Sequence, residues 1–480
     1  VRGTDRRRLT VAAVCAACGA ALAGCDGWAA PAAAPGPIVL ITFDSLRADV
    51  VGGLGGDPRL TPNLAALARE ADWAGTAVAA SSWGGPAMAS LLTGLQPWQH
   101  QAILDRPARL APDLLTLPRA LKGLGYQTAG FTSGAWYTPE NGYARGFESF
   151  EDVAKGEEAG ERLAALAGGR QFVWIHLPEP QAPYLRRAWL LPRLDGGKDE
   201  REAPYLPRSI EPLQVETYYD PAARLPPADR RVFWELYRLN VAWADERLGR
   251  LLEALRTSGQ WSRTLLVVTA NHGEGFGEHG QLGHGGNLGR ELLEVPLLVK
   301  LPAGSPRLAV GRGSRVAATR LWATLVEAAG GSAPPAAAPS LFRRAAPEVL
   351  SELYGGNGTN QISLLQGDLQ VLWEATFAPP DPAYYRARFQ FLADAPESAS
   401  IEPPRLPFPR LAAAFAATPP LGDGAAPRLW LERWEAGGGS RPVPDGGRTA
   451  ALARRLAELW RLHAGEVRTP AAEARLRLAP

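Results

Sequence analysis

The chain of 480 residues is short of cysteine, lysine and methionine, and those it has are unevenly placed. Its three cysteines, Cys15, Cys18 and Cys25, all fall in the first segment, so the body beyond them can form no internal disulfide. Lysine occurs only at Lys122, Lys155, Lys198 and Lys300, leaving nearly all positive charge to arginine. With a net charge of +2 and no stretch that gathers basic residues into a stripe, the composition argues against a nucleic-acid partner. Internal repeats are missing too. What remains, 46% hydrophobic and 21% charged, describes an ordinary globular protein with length for one large domain and a smaller one.

The first segment opens with Arg2, Arg6, Arg7 and Arg8 and continues as an apolar run from Leu9 to Gly24. The run is too short for a comfortable membrane span and suits a signal peptide. It ends in Leu22-Ala23-Gly24-Cys25, which resembles the bacterial lipobox. That resemblance implies an acylated Cys25 as the mature N-terminus, with residues 1–25 as lipoprotein signal and 26–36 as an Ala- and Pro-rich tether. The plainer alternative is a secretory signal or a short anchor helix.

The body begins at residue 37. Ile38 to Asp44 is a continuous apolar and β-branched run, as expected for a strand buried on both faces of a parallel sheet. Similar runs at 171–176 and 264–270 end in His176 and in Asn271-His272. Open α/β sheets place their chemistry at such strand ends. Helices are expected from Thr61 to about Ala71, from Asp113 to Leu124 and from about Asp229 to Ser258, with a short strand at 127–132. Between Leu185 and about Pro227 the chain is polar and irregular, as for an excursion over the site. Ser81 to Gly94 reads as a loop feeding a short apolar helix, with Pro86 near its start and Gly94 past its end. Such an entry can hold an anion on its unpaired N–H groups. An Ala-Pro linker near 333–339 divides an N-terminal domain, 37–332, from a subdomain, 340–480. In the latter, 362–366 and 369–373 form an expected hairpin about Gly367-Asp368, and a helix is expected near 448–462. The fold class is therefore α/β: a large mixed, mainly parallel sheet sandwiched by helices, with a smaller C-terminal α+β subdomain.

Several blocks occur in one order: Phe43-Asp44-Ser45-Leu46-Arg47-Ala48-Asp49, Thr61-Pro62-Asn63-Leu64, Leu91-Leu92-Thr93-Gly94, Ala182-Pro183-Tyr184, Asn271-His272-Gly273-Glu274 and Gly283-His284-Gly285. In this order they resemble the sulfatase branch of the alkaline phosphatase superfamily. The resemblance implies a divalent metal (Ca, Mg or Mn) held at Asp44, Asn271 and His272. It also implies a nucleophile at the helix entry and substrate-binding side chains at positions 88, 176, 181 and 284.

This chain departs from that pattern. The nucleophile position is Gly84, so no formylglycine can form there. Met88 stands where the family has Arg or His, Gln181 where it has His, and Asn271 where it has Asp. Asp44, His176, His272 and His284 are kept. With one carboxylate left, a hard divalent cation would bind weakly or not at all. The sequence thus supports two readings. One is a catalytically impaired, sulfatase-like lipoprotein of the bacterial cell envelope, facing the periplasm or the exterior. The other is an active sulfuric or phosphoric ester hydrolase with a non-standard nucleophile or a metal-activated water. Either would meet an anionic ester or glycan. If Cys25 carries the anchor, Cys25→Ser should move the protein from the membrane to the soluble fraction and abolish fatty-acid labelling.

Overall fold

The computed structural model describes residues 36–103, 109–133, 136–152, 157–194, 197, 205–210, 226–280, 282–311, 313–334, 337–354, 359–376, 428–435, 440–442, 451–456 and 459. The expected signal segment and nearly all of the tether lie outside them. So does most of the expected closing helix, of which 451–456 is helical.

Strand β1 (Ile38–Asp44) is buried at all seven positions, and both of its neighbours, β5 (Gln171–Pro180) and β8 (Leu265–Ala270), run parallel to it. Burial on both faces is what its unbroken apolar run requires. Around this centre the eight-stranded sheet is completed by β2 (Trp73–Val78), β3 (Gln127–Thr132), β4 (Ser149–Asp152), β11 (Glu294–Lys300) and β12 (Arg315–Ala317), in the order β12-β2-β11-β8-β1-β5-β3-β4. Strand β11 is antiparallel to both of its neighbours, which makes the sheet mixed but mainly parallel, as expected. Strand β2 was not foreseen. Its Trp-Ala-Gly-Thr-Ala-Val sequence has little β-branched character and no clean alternation. β5 runs on past His176 to Pro180, and two short antiparallel pairs, β6 (Tyr184–Leu185) with β7 (Ser209–Ile210) and β9 (Gly275–Phe276) with β10 (Leu282–Gly283), lie outside the large sheet.

Helices α1 (Pro62–Glu70), α2 (Gly84–Thr93), α3 (Pro97–His100), α4 (Leu117–Gly123), α5 (Glu157–Ala164), α6 (Pro227–Thr257), α7 (Arg290–Leu293) and α8 (Arg320–Ala328) complete the main domain. Helix α2 starts two residues before the expected Pro86 and is buried at every position, consistent with its apolar sequence all round. It ends at Gly94 in the left-handed conformation, φ 70°, where a Cβ would come 2.9 Å from Trp322 Cβ on α8. The 31-residue α6 buries the leucine stripe read from sequence, and several of its polar side chains are buried as well. Asp245 caps α1 from a distance, accepting from the Asn63 and Leu64 amides at 3.1 and 2.8 Å. Asn240 accepts from the Leu185 amide and donates to the Pro183 carbonyl, at 3.1 and 2.9 Å. The Tyr237 hydroxyl donates to the Ser45 carbonyl and accepts from the Arg47 amide. One helix therefore positions both the turn leaving β1 and the Ala182-Pro183-Tyr184 strap. No helix among the described residues is long and apolar enough to cross a membrane.

The C-terminal sheet consists of β13 (Glu348–Tyr354), β14 (Thr359–Gln366), β15 (Leu369–Thr376), β16 (Arg428–Trp434) and β17 (Ser440–Pro442), antiparallel throughout. The hairpin about Gly367-Asp368 is the β14–β15 connection. Leu341 and Phe342 still pack in the main core, so the second sheet begins only at Glu348.

This sheet docks on the chain just ahead of α2. Ser351 Oγ donates to the Ala79 carbonyl and the Glu352 amide to the Ala80 carbonyl, both at 2.8 Å. At this seam the Glu352 carboxyl is fully buried, with one oxygen accepting from the Trp98 amide and the Tyr354 hydroxyl, each at 3.0 Å. Burial raises its pKa to about 8, against 4.5 ordinarily, and the two hydrogen bonds only partly oppose that. Between these pH values the folded state holds a proton that the unfolded state has released, so stability falls as pH rises from 4.5 to about 8. Glu352→Gln should remove this slope, gaining on the order of a few kcal/mol relative to wild type by the upper end. Urea midpoints of the two proteins across that range measure it.

Candidate active site

The β1 strand ends in Asp44, whose carboxylate is 2% exposed. Four side chains from separate strands and loops meet around it. The Asn271 amide nitrogen, just past β8, donates to Asp44 Oδ1 at 2.9 Å. His272 Nε2 lies 3.2 Å from the same oxygen, and His176 Nε2 of β5 lies 3.4 Å from Oδ2. Tyr137 accepts a second bond from the Asn271 amide at 2.9 Å and sets its ring edge-on to His176, 4.6 Å between centroids. Burial alone would raise the Asp44 pKa, but the contacts with His176 and His272 outweigh it and hold the carboxyl well below the usual range.

The surrounding groups fix each of these in place. Asn271 Oδ1 accepts from the backbone amides of Ser45, at 3.2 Å, and His272, at 2.7 Å. Ser45 takes a left-handed conformation, φ 63°, to bring its amide there. His176 Nδ1 bonds Thr42 Oγ1 at 2.9 Å, and Thr42 also accepts from the Trp174 indole at 3.0 Å. His272 Nδ1 lies 2.7 Å from the Gly273 carbonyl, which can only accept, so Nδ1 carries a proton. The Nε2 contact to Asp44 is at ion-pair distance but lacks hydrogen-bond alignment.

A second layer continues from His272. Its ring lies 4.4 Å from that of His284, and Trp83 meets the His284 ring edge-on at 5.7 Å. His284 Nδ1 pairs with Glu274 Oε1 at 3.0 Å, Glu274 Oε2 accepts from the Tyr184 hydroxyl at 2.9 Å, and Gln181 Nε2 approaches His284 Nε2 to 3.2 Å. A carboxylate on Nδ1 sets the tautomer that leaves Nε2 an acceptor for the Gln181 amide. Arg47 ties the turn after β1 to this layer: it grips Asp49 through two nitrogens, Glu278 at 2.8 Å and the Glu274 carbonyl at 3.1 Å.

The start of α2 touches the same cluster through aromatic rings. A Cβ at Gly285 would come 2.2 Å from Trp83 Cε2, so only glycine allows that ring to lie there. The Tyr143 hydroxyl donates to the Gly85 carbonyl, and its ring lies 5.0 Å from that of Tyr137. Gly84, the first residue of the helix, brings no side chain. Met88 is fully buried and packs in the main core. Ser82 Oγ is buried with no hydrogen-bond partner among the described residues. Ser90 Oγ does contact an imidazole, His100 Nε2, at 2.9 Å. His100 Nδ1, however, accepts from the Ala102 amide, so Nε2 is the protonated nitrogen, and burial lowers the His100 pKa to about 3. That pair cannot deprotonate a serine; it braces α2 against α3.

The structure thus gathers Asp44, His176, Gln181, Asn271, His272 and His284. Tyr137, Tyr143 and Thr42 join them from stretches that carry no motif. Glu274 and Tyr184 lie within quoted motifs, but spacing alone did not reveal that they bond to each other.

The sulfatase family model matches residues 37–162 and 167–331. The chain belongs to the sulfatase family. It is similar to the multifunctional alkaline phosphatase superfamily protein PehA of Trinickia caryophylli, 28% identical over 349 residues, covering 55% of this chain and 68% of that protein. It is also similar to an ulvan-active sulfatase of Formosa agariphila, 25% identical over 291 residues, 55% of this chain and 56% of that one. The chain thus spans little more than half the length of the second relative. Two solved structures share the fold. One is a phosphonate monoester hydrolase from Silicibacter pomeroyi (18% identity, TM-score 0.53, 75% of this chain and 95% of that one). The other is an alkaline phosphatase superfamily protein from Vibrio parahaemolyticus (15% identity, TM-score 0.53, 93% and 90%).

A sulfatase-type divalent metal fits these residues poorly. Among the described residues, no group of three or more His, Cys, Asp or Glu side chains is placed to hold a metal ion. Hard cations need about six or more donors with net negative charge, and here an amide N–H points at the Asp44 carboxylate.

Because Arg47 is buried and joins both layers of the site, Arg47→Met should cost about 2 kcal/mol or more, with partners part-exposed. Urea unfolding checks the cost. Faster hydrogen exchange at 274–280 would show that the loop has loosened.

Proposed function

We propose that this sulfatase-family protein is a cell-envelope lipoprotein whose catalysis is lost or much weakened, and that its cleft holds an anionic ester or glycan instead of turning it over. One observation carries this reading: the helix entry that should present a nucleophile begins with Gly84, and among the described residues neither Ser82 nor Ser90, the serines beside it, has a base to activate it. Ser82 has no partner among the described residues, and Ser90 faces the protonated nitrogen of His100. Binding survives such a loss more readily than catalysis, because the helix N-terminus and the imidazoles still favour an anion. Likeness to an ulvan-active sulfatase supports a glycan as the class of ligand. The Cys25 acyl anchor, read from the lipobox, would hold the site at the envelope.

A second reading, hydrolysis of a sulfuric or phosphoric ester by water, is favoured by the Tyr184–Glu274–His284 chain. A carboxylate-oriented imidazole can take a proton from water, as a general base does. Turnover of aryl sulfates, aryl phosphates and aryl phosphonates by the purified chain, with Ca, Mg or Mn supplied, separates the two. The impaired reading expects no rate above that of Asp44→Ala or His284→Ala. A rate that both substitutions abolish would establish the hydrolase.

A further inference from the structure

We infer that Asn271 takes the place of the metal ion in this chain: its amide nitrogen supplies the positive end that Asp44 needs, and so makes a divalent cation unnecessary and unwelcome. The orientation of the amide follows from its neighbours. The Ser45 and His272 backbone N–H groups can only donate, so the atom facing them, at 3.2 and 2.7 Å, must be the oxygen. The nitrogen is then turned to Asp44 Oδ1 and to the Tyr137 hydroxyl oxygen, each at 2.9 Å. A cation bridging Asp44 and residue 271 would have to sit where those N–H bonds point, facing two partial positive charges.

Aspartate at 271 would reverse this. One of its oxygens could keep the two backbone N–H bonds, while the other would face Asp44 Oδ1 at about hydrogen-bond distance. Two carboxylates so close cannot both stay ionised without a cation or a shared proton. The difference between a metal-requiring cluster and a self-contained one is therefore a single atom, nitrogen for oxygen, at position 271. The donors left over, Asp44 and His272 Nε2, are too few for a hard divalent ion.

This inference concerns binding and stands whether or not any turnover remains. The full chain, purified without added metal, should contain far less than one equivalent of Ca, Mg, Mn or Zn by elemental analysis. Its melting temperature should be unmoved by EDTA and by millimolar CaCl2, MgCl2 or MnCl2. Asn271→Asp should melt lower in EDTA and recover by several degrees with at least one of these salts. Should that variant fail to fold, Asp44→Asn decides, because its destabilisation should be equal with and without each salt. One equivalent of metal retained by wild type, or a fall in its melting temperature on EDTA, would overturn the inference. So would an Asn271→Asp protein that folds and gains no metal dependence, or an Asp44→Asn deficit that appears only when metal is present.

Discussion

A carboxylate buried at the end of the central strand has to be matched by donors, and the identity of those donors sets what the cleft can do. Asp44 sits where β1 leaves the sheet, flanked by the ends of β5 and β8, so His176 and Asn271-His272 reach it by topology alone. An isolated charge at such a site would cost far more than the fold could tolerate. The amide of Asn271 and the His176 imidazole provide the compensation, and the Ser45 turn, Thr42 and Tyr137 exist in their observed poses to support them. The cluster is thus organised from the carboxylate outward rather than from the helix entry inward.

The supports for this cluster come from distant parts of the chain. Helix α6 pins the β1 exit through Tyr237 and the strap through Asn240, which fixes Tyr184 against Glu274 and so His284. The C-terminal sheet, which carries no recognisable chemistry of its own, bonds Ala79 and Ala80 immediately before the Ser81 loop. His279 makes a further link, reaching Glu291 in α7 at 3.0 Å and Glu432 in β16 at 3.3 Å, and these carboxylates raise its pKa to about 10 against the effect of burial. A positive imidazole between two carboxylates keeps the loop after Glu274 fastened to the second sheet.

Much of this could be read in the sequence, for physical reasons that differ from element to element. The strands β1, β5 and β8 announce themselves because burial on both faces demands unbroken apolar runs. The residues that end them follow at once, and so did Asp44, His176, Asn271 and His272. Strand β2 stayed hidden because small residues suffice there, and β13, β16 and β17 were missed although glycine-rich stretches at 355–358 and 437–439 follow β13 and β16 in the sequence. Tyr137 and Tyr143 could not be foreseen. Their roles depend on where a turn between β3 and β4 brings two hydroxyls, and neither spacing nor periodicity encodes that. Met88 stands at a site position of the motif, and the expectation that it fills space there fits its place in the core, where α2 packs against α3, α4 and α8.

The loop at the start of α2 is held without any side chain at position 84. Every interaction that holds the start of α2 is made by something other than the side chain at position 84. Tyr143 grips the Gly85 carbonyl, Trp83 fills the space left by Gly285, Gly94 lets Trp322 close on the far end, and the second sheet holds Ala79 and Ala80. A catalytic side chain at an anion-binding helix entry is usually a strained or desolvated group that stability would be better without. Glycine at 84 is compatible with all of these contacts. The carboxylate is different, because removing Asp44 would strand an amide and two imidazoles in a closed interior. The same physics that lets this loop pack around a glycine at 84 makes Asp44 hard to replace.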